Sequence, residues 1–299
     1  MKKEYALGLL TVLFWSTSAT AFKITLQYLD VLQLLFYSII TAVAVLGCFL
    51  AAKGRLGRAF GLPAKTYVFY MTLGVLNPFI YYWMAVTGYD LLPAQIAQPI
   101  NYTWVITLSL LSVPLLKQSL TGMQVLATLV CYSGVVALSW QGGAAGGESI
   151  SMTGVFLAAS CTVIWALYWI YNVRAKEDPI TAIFLNFLFS IPFAGLACMA
   201  FSSLTVTDIR GLYGAVWIGC FEFGFAFITW IMALKLADNT NRVTNLIFLT
   251  PFVSLVFIAT VLGEAILPRT WVGLVLIFTG IFIQKYGEVR AGLTSQTRP

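Results

Sequence analysis

Ten apolar runs, each about as long as a bilayer is thick, constrain this chain more than any other feature. A hydrocarbon core about 30 Å thick needs roughly 20 apolar residues per helix. Runs of that length fall at 5–27, 31–52, 66–88, 93–113, 121–140, 151–174, 179–201, 211–235, 240–262 and 268–287. They are too long and too continuously apolar for barrel strands, which leaves helices as the spanning solution. Composition agrees: 60% of the 299 residues are hydrophobic and 9% are charged, against about 25% charged in a soluble domain. The expected fold is all-α and integral to the membrane, with ten transmembrane helices. The start of the chain, MKKEYALGLLTVLFWSTSATAF, imitates a cleavable leader. It is read as the first span, because its removal would leave an odd number of spans.

The basic residues sort by side. Lys2, Lys3, Lys53, Arg55, Arg58, Lys65, Lys117, Arg174, Lys176, Lys235, Arg242, Lys285, Arg290 and Arg298 fall at one end of the spans, and Lys23, Arg210 and Arg269 at the other. Positive residues are retained in the cytoplasm, so both termini are expected there, in a bacterial inner membrane. The same sorting explains the net charge of +6 without nucleic acid, for which no binding module is present. The five cysteines are scattered singly in apolar runs and histidine is absent, so no metal site and no cofactor are expected.

The Gly-rich stretch QGGAAGGES divides the chain into halves of similar length. The expected units are residues 1–141, a linker at 142–150, residues 151–288 and a tail at 289–299. Weak internal similarity supports a repeat: Trp15 matches Trp165, LGVLN (73–77) matches IGCFE (218–222), and CYSGVVAL matches IFTGIFIQ, which aligns Gly134 with Gly280. Five spans per unit is an odd number, so the second unit crosses in the opposite sense. Two inverted five-helix repeats around a central cavity is a common plan of secondary transporters, whose sites lie near the midplane.

Ten spans in two fives, FWSTSATAFK in the first, and LTPFVSLVFIATVLGEAILPRTWVGLVLIFTGIFI (249–283) together resemble the EamA branch of the drug/metabolite transporter superfamily, in particular its YddG-type aromatic amino acid and paraquat exporters. The resemblance implies a transporter, with aromatic amino acids and aromatic cations as substrates. The first half departs from the pattern, with Gln118 where the second has Glu264 and Val105 or a neighbour where it has Pro251.

Several residues stand out as candidates for the site. Glu222 lies near the middle of the eighth span, too far from either interface to snorkel. A carboxylate there must be protonated, paired or hydrated. It is a candidate for proton coupling or for a cationic group; alternatively it stays neutral and ties its helix to a neighbour. Its repeat counterpart is Asn77, followed by Pro78, and both are expected to face the cavity. The fourth span carries Gln95, Gln98 and Tyr102 on one helical face with Asn101 beside it, polar groups suited to an amino acid or to interhelical hydrogen bonds. Trp15, Trp165, Trp169 and Tyr82 offer faces for an aromatic or cationic ligand. Pro78, Pro99 and Pro251 are expected to kink their helices. Lys23 and Glu264, near span ends, are read as snorkelling and structural.

No Walker A loop or soluble domain is present, so no nucleotide is expected. Enzymatic chemistry would want paired acids, a nucleophile with a base, or a metal, and a lone Glu supplies none of these. The sequence therefore reads as a secondary transporter of small molecules working by alternating access. Facilitated uniport of other amino acids or amphipathic metabolites stays open, and a channel or a lipid-acting membrane enzyme fits less well.

Overall fold

The computed structural model describes residues 2–116, 121–139, 150–172, 175–237, 243 and 245–290. Secondary structure among these residues is entirely helical. The first repeat contains α1 (Lys3–Thr25), α2 (Val31–Ala52), α3, α4 and α5 (Gly122–Ser139). Helix α3 is built from Ala64–Gly74 and Tyr81–Leu91 joined by an irregular turn, Val75–Ile80, and α4 from Ala94–Tyr102 and Trp104–Leu116. The second contains α6 (Met152–Asn172), α7 (Pro179–Phe201), α8 (Ile209–Leu236), α9 (Asn245–Leu262) and α10 (Pro268–Arg290). Among the described residues, six of these are long and apolar enough by themselves to cross a bilayer. The other four are the broken α3 and α4 and the shorter α5 and α9. The expected linker falls outside the described residues except for Ile150, and the tail falls outside them beyond Arg290.

Helix breaks follow local chemistry. Pro78 has no amide hydrogen to give and its ring crowds the preceding turn, and Asn77 before it takes an extended conformation (φ −147°, ψ 119°). The matching position in α8 is also irregular: Ile218–Phe225 is a wide π-type turn that contains Glu222. Such turns leave carbonyls and side chains out of the regular helical phase. Pro99 sits inside the first piece of α4, and the interruption comes four residues later at Thr103. Pro251 behaves differently from the expected kink. It occupies the first turn of the regular helix Thr250–Phe257, just after a 3₁₀ stretch, Asn245–Leu249, where a missing amide hydrogen costs nothing.

The contacts define a two-fold arrangement. Helix α1 packs on α8 and α9 as α6 packs on α3 and α4; α2 meets α8 as α7 meets α3; and the pairs α2–α7 and α5–α10 lie across the axis. Reciprocity of this kind is what a two-fold relation requires. It reaches the level of single atoms between α5 and α10. A β-carbon on Gly134 would lie 2.7 Å from the Gly273 carbonyl oxygen and 2.8 Å from Ile277, and one on Gly280 would lie 2.7 Å from both the Ala127 carbonyl oxygen and Cys131. Under the Gly134–Gly280 alignment, Gly273 stands for Ala127 and Ile277 for Cys131. In lipid there is no hydrophobic force between helices, so close approach at small residues supplies the attraction.

Caps fix the second helix of each repeat in the same way. The Asp30 carboxylate accepts from the amides of Leu32 at 2.8 Å and Gln33 at 3.0 Å, and Asp178 accepts from the Ile180 amide at 3.2 Å. Large apolar side chains such as Leu129, Phe156, Leu196 and Val275 point outward, as they must where the surrounding solvent is hydrocarbon.

Candidate functional site

A cavity of about 150 Å³ opens between the two repeats. Its lining comes from α1, α3 and α4 of the first repeat and from their counterparts α6, α8 and α9 of the second. Glu222 is the one ionisable acid in that lining, and no basic residue joins it. It lies near the middle of α8, about 20 Å along the helix from each end at 1.5 Å per residue.

Two hydroxyls clamp the Glu222 carboxyl. Tyr82 Oη on α3 donates to Oε1 at 3.0 Å, and Ser18 Oγ on α1 donates to Oε2. The indole Nε1 of Trp15 donates to the backbone carbonyl of Glu222 at 3.3 Å, so α1 holds both the side chain and the main chain of this turn. A carboxyl group in a span costs several kcal/mol when ionised and unpaired. Here two helices, α1 and α3, each supply one donor to the carboxyl, and the residue also lines the cavity.

Around this acid the lining is aromatic. Trp15 stands 5.7 Å from Trp230 and 5.8 Å from Phe227, ring centre to ring centre. Across the cavity, Trp165 lies 4.6 Å from Tyr81, 5.8 Å from Trp169 and 6.3 Å from Trp104. The repeat-matched pair Trp15 and Trp165 thus contributes one wall from each half. The polar remainder is sparse: Asn101 Nδ2 donates to Tyr81 Oη at 3.0 Å, and Gln98 Oε1 accepts from Ser254 Oγ.

Of the residues singled out from the sequence, Trp15, Tyr82, Gln98, Asn101, Tyr102, Trp165, Trp169 and Glu222 are brought together in this lining. Asn77 is not among them. It is buried, 1% exposed, in the irregular turn that packs on α6 and α7. The extended conformation at Asn77 resets the phase of α3, so counting turns from Tyr82 back to Asn77 does not give its facing. Gln95 also leaves the stripe it shares with Gln98: its side chain turns to the α9–α10 connection, donating to Ala265 O at 2.9 Å. Reading the sequence missed Trp230, Trp104, Tyr89 and Phe22, all of which line the cavity. Trp230 was legible in principle, two turns beyond Glu222 on the same helix, although its position toward the helix end suggests an interfacial anchor.

A ten-helix bundle of two inverted repeats around a central cavity is a plan of membrane transporters. The sequence pattern of the EamA-like transporter family matches residues 2–140 and 152–284. The chain belongs to that family. It is 26% identical over 278 residues, 90% of this chain and 87% of the other, to "Uncharacterized transporter YvbV" of Bacillus subtilis (strain 168). It is 27% identical over 238 residues, 78% and 79% of the two chains, to "Aromatic amino acid exporter YddG" of Ancylobacter novellus. A solved crystal structure superposes on 96% of this chain and 98% of its own with a TM-score of 0.67 at 22% identity, a likeness of fold alone.

Proposed function

We propose that the protein exports aromatic amino acids, and aromatic cations of similar size, across the bacterial inner membrane by alternating access, with both termini in the cytoplasm. The observation that carries this reading is Glu222, the lone acid of a cavity whose other large lining groups are mostly aromatic. An ammonium group placed against Glu222 and a ring set among Trp15, Trp165 and Trp230 use both features, through ion pairing and stacking. A volume of about 150 Å³ is also the size of cavity that takes a benzene ring. The exporter named YddG among the relatives supports the substrate class and direction, and the basic bias at one end of the spans supports the orientation.

In this scheme Glu222 releases a proton when the ammonium arrives and regains it when the substrate leaves. Transport is then coupled to the proton gradient. A second reading, facilitated uniport, is favoured by the hydroxyl clamp, because Ser18 and Tyr82 also satisfy a carboxyl that never ionises. Counterflow in proteoliposomes with labelled phenylalanine, tryptophan, leucine and a sugar tests the substrate class. Preference for leucine or the sugar would refute it. The same assay with Glu222→Gln between pH 5.5 and 8 tests coupling, and an unaltered pH profile would leave uniport.

A further inference from the structure

The end of the molecule away from the basic cluster carries a set of hydrogen bonds, four of them to the charged groups of Lys23 and Glu264, that the cavity does not use. All of them converge on one connection, between α3 and α4. Lys23 Nζ, from the end of α1, donates to the carbonyls of Tyr89 at 2.9 Å and Leu92 at 3.1 Å. The Glu264 carboxylate, just past α9, accepts from the amides of Ala94 at 3.0 Å and Gln95 at 3.3 Å. Gln95 completes the set: beyond Ala265, its Oε1 accepts from the Leu267 amide at 3.1 Å and from Thr270 Oγ1 at 2.7 Å.

Each charge sits where the helix ends want it. Lys23 meets the negative end of α3 and Glu264 the positive end of α4, and both satisfy backbone groups that have no partner within their helix. Gly263 makes the second contact possible. Its positive φ of 71° ends α9 in a left-handed turn and swings the next residue toward α4. The LGE sequence is thus a helix stop followed by a cap for a different helix.

The Glu264 and Gln95 bonds also cross the boundary between the two repeats. Glu264, Ala265, Leu267 and Thr270 belong to the second half and the α3–α4 connection to the first. Lys23 belongs to the first half by sequence, but α1 packs chiefly on α8 and α9 of the second. Tyr89, whose carbonyl Lys23 holds, lines the outer reach of the cavity. By sequence, the matching positions in the other repeat hold Gln118 for Glu264 and Val173 for Lys23, so neither charge is repeated there. The basic end has a different cross-repeat pair, a half-exposed Arg55 with the more covered Asp178 at 3.5 Å.

We propose that Lys23, Glu264 and Gln95 form a latch that closes the cavity at the end opposite the basic cluster, and that opening to that side requires its release. The latch rests on the alternating-access reading above. Any motion of one half against the other that opens this end must part the Glu264 and Gln95 contacts, because they span the two halves.

The test is accessibility from one side. Ala85→Cys on α3 places a reporter in the cavity lining, in the full chain with Cys48, Cys131, Cys161, Cys198 and Cys220 replaced by alanine. A membrane-impermeant maleimide is applied to one face of oriented vesicles at a time. Lys23→Met and Glu264→Gln are each expected to speed labelling from the Lys23 face by roughly tenfold, since a minor conformer begins at a few per cent of the population, and Lys23→Arg to keep the parent rate. Labelling from the basic face is not expected to rise. Thr270→Val, which removes a single bond to Gln95, guards against lost folding and is expected to act in the same direction by a smaller factor. Parent rates in all of these variants, or an equal rise from both faces including Thr270→Val, would overturn the latch. Failure of alternating access reads differently: the parent reporter would then be labelled from both faces at once.

Discussion

Replacing Tyr82 by phenylalanine probes the state of Glu222 without disturbing the cavity wall. The ring contacts with Phe223, at 4.3 Å, and Phe22, at 6.5 Å, are kept, and what is lost is the 3.0 Å hydrogen bond to Oε1. A hydrogen bond to a charged group contributes about 1.5–3 kcal/mol and one between neutral groups about 0.5–1.5. If Glu222 is a carboxylate when it holds the substrate ammonium, Tyr82→Phe weakens phenylalanine binding by roughly 10- to 100-fold. The sign follows from solvation: a carboxylate with one donor fewer is harder to ionise, and a neutral acid holds an ammonium poorly. In a Glu222→Gln background there is no charge to stabilise, so the same substitution should cost less than about tenfold. The half-saturation concentration for phenylalanine counterflow, measured for the parent, both single variants and the double variant, closes the cycle. A coupling of at least about 1 kcal/mol is expected. Strictly additive effects would refute the view that Tyr82 acts through the Glu222 charge.

Two further outcomes follow from the fold. Gly280→Val brings a branched side chain into a space where even a β-carbon meets the Ala127 carbonyl at 2.7 Å, so α5 and α10 must separate. A loss of about 1–3 kcal/mol in unfolding free energy is expected, with Gly134→Val giving a similar loss because its surroundings are equivalent, and unchanged stability of either would contradict the two-fold contact. Burial raises the pKa of Asp178, but the Lys235 ammonium at 2.7 Å and the first amides of α7 outweigh it and hold the carboxyl below its usual range. A lowered folded pKa gives stability that is present above the unfolded value of about 3.9 and is lost as pH falls through the folded value. Asp178→Asn should therefore cost up to about 1 kcal/mol at pH 7, and the difference from the parent should shrink below about pH 4. A difference that stays constant to pH 3 would refute the ion pair as its source.

The sequence alone was enough for the plan of the molecule. Run lengths follow from bilayer thickness, and the two-fold relation follows from an odd number of spans per repeat, so ten helices, the halves and the alignment of Gly134 with Gly280 could be read without coordinates. The central acid was legible for a similar reason: in a medium this apolar, one carboxyl far from both interfaces stands out, and Trp15 and Trp165 stood out with it through the repeat. Only the tertiary structure decided the direction in which each side chain points. The break at Asn77 and the wide turn around Glu222 shift the helical phase, so the repeat match to Glu222 did not carry Asn77 into the cavity, and the stripe of the fourth span carried Gln98 and Tyr102 there but not Gln95. Lys23 and Glu264 looked like ordinary residues of helix ends, because their partners are backbone groups of a connection far away in sequence. A backbone carbonyl or amide leaves no mark on sequence, and its availability depends on where two other helices happen to end.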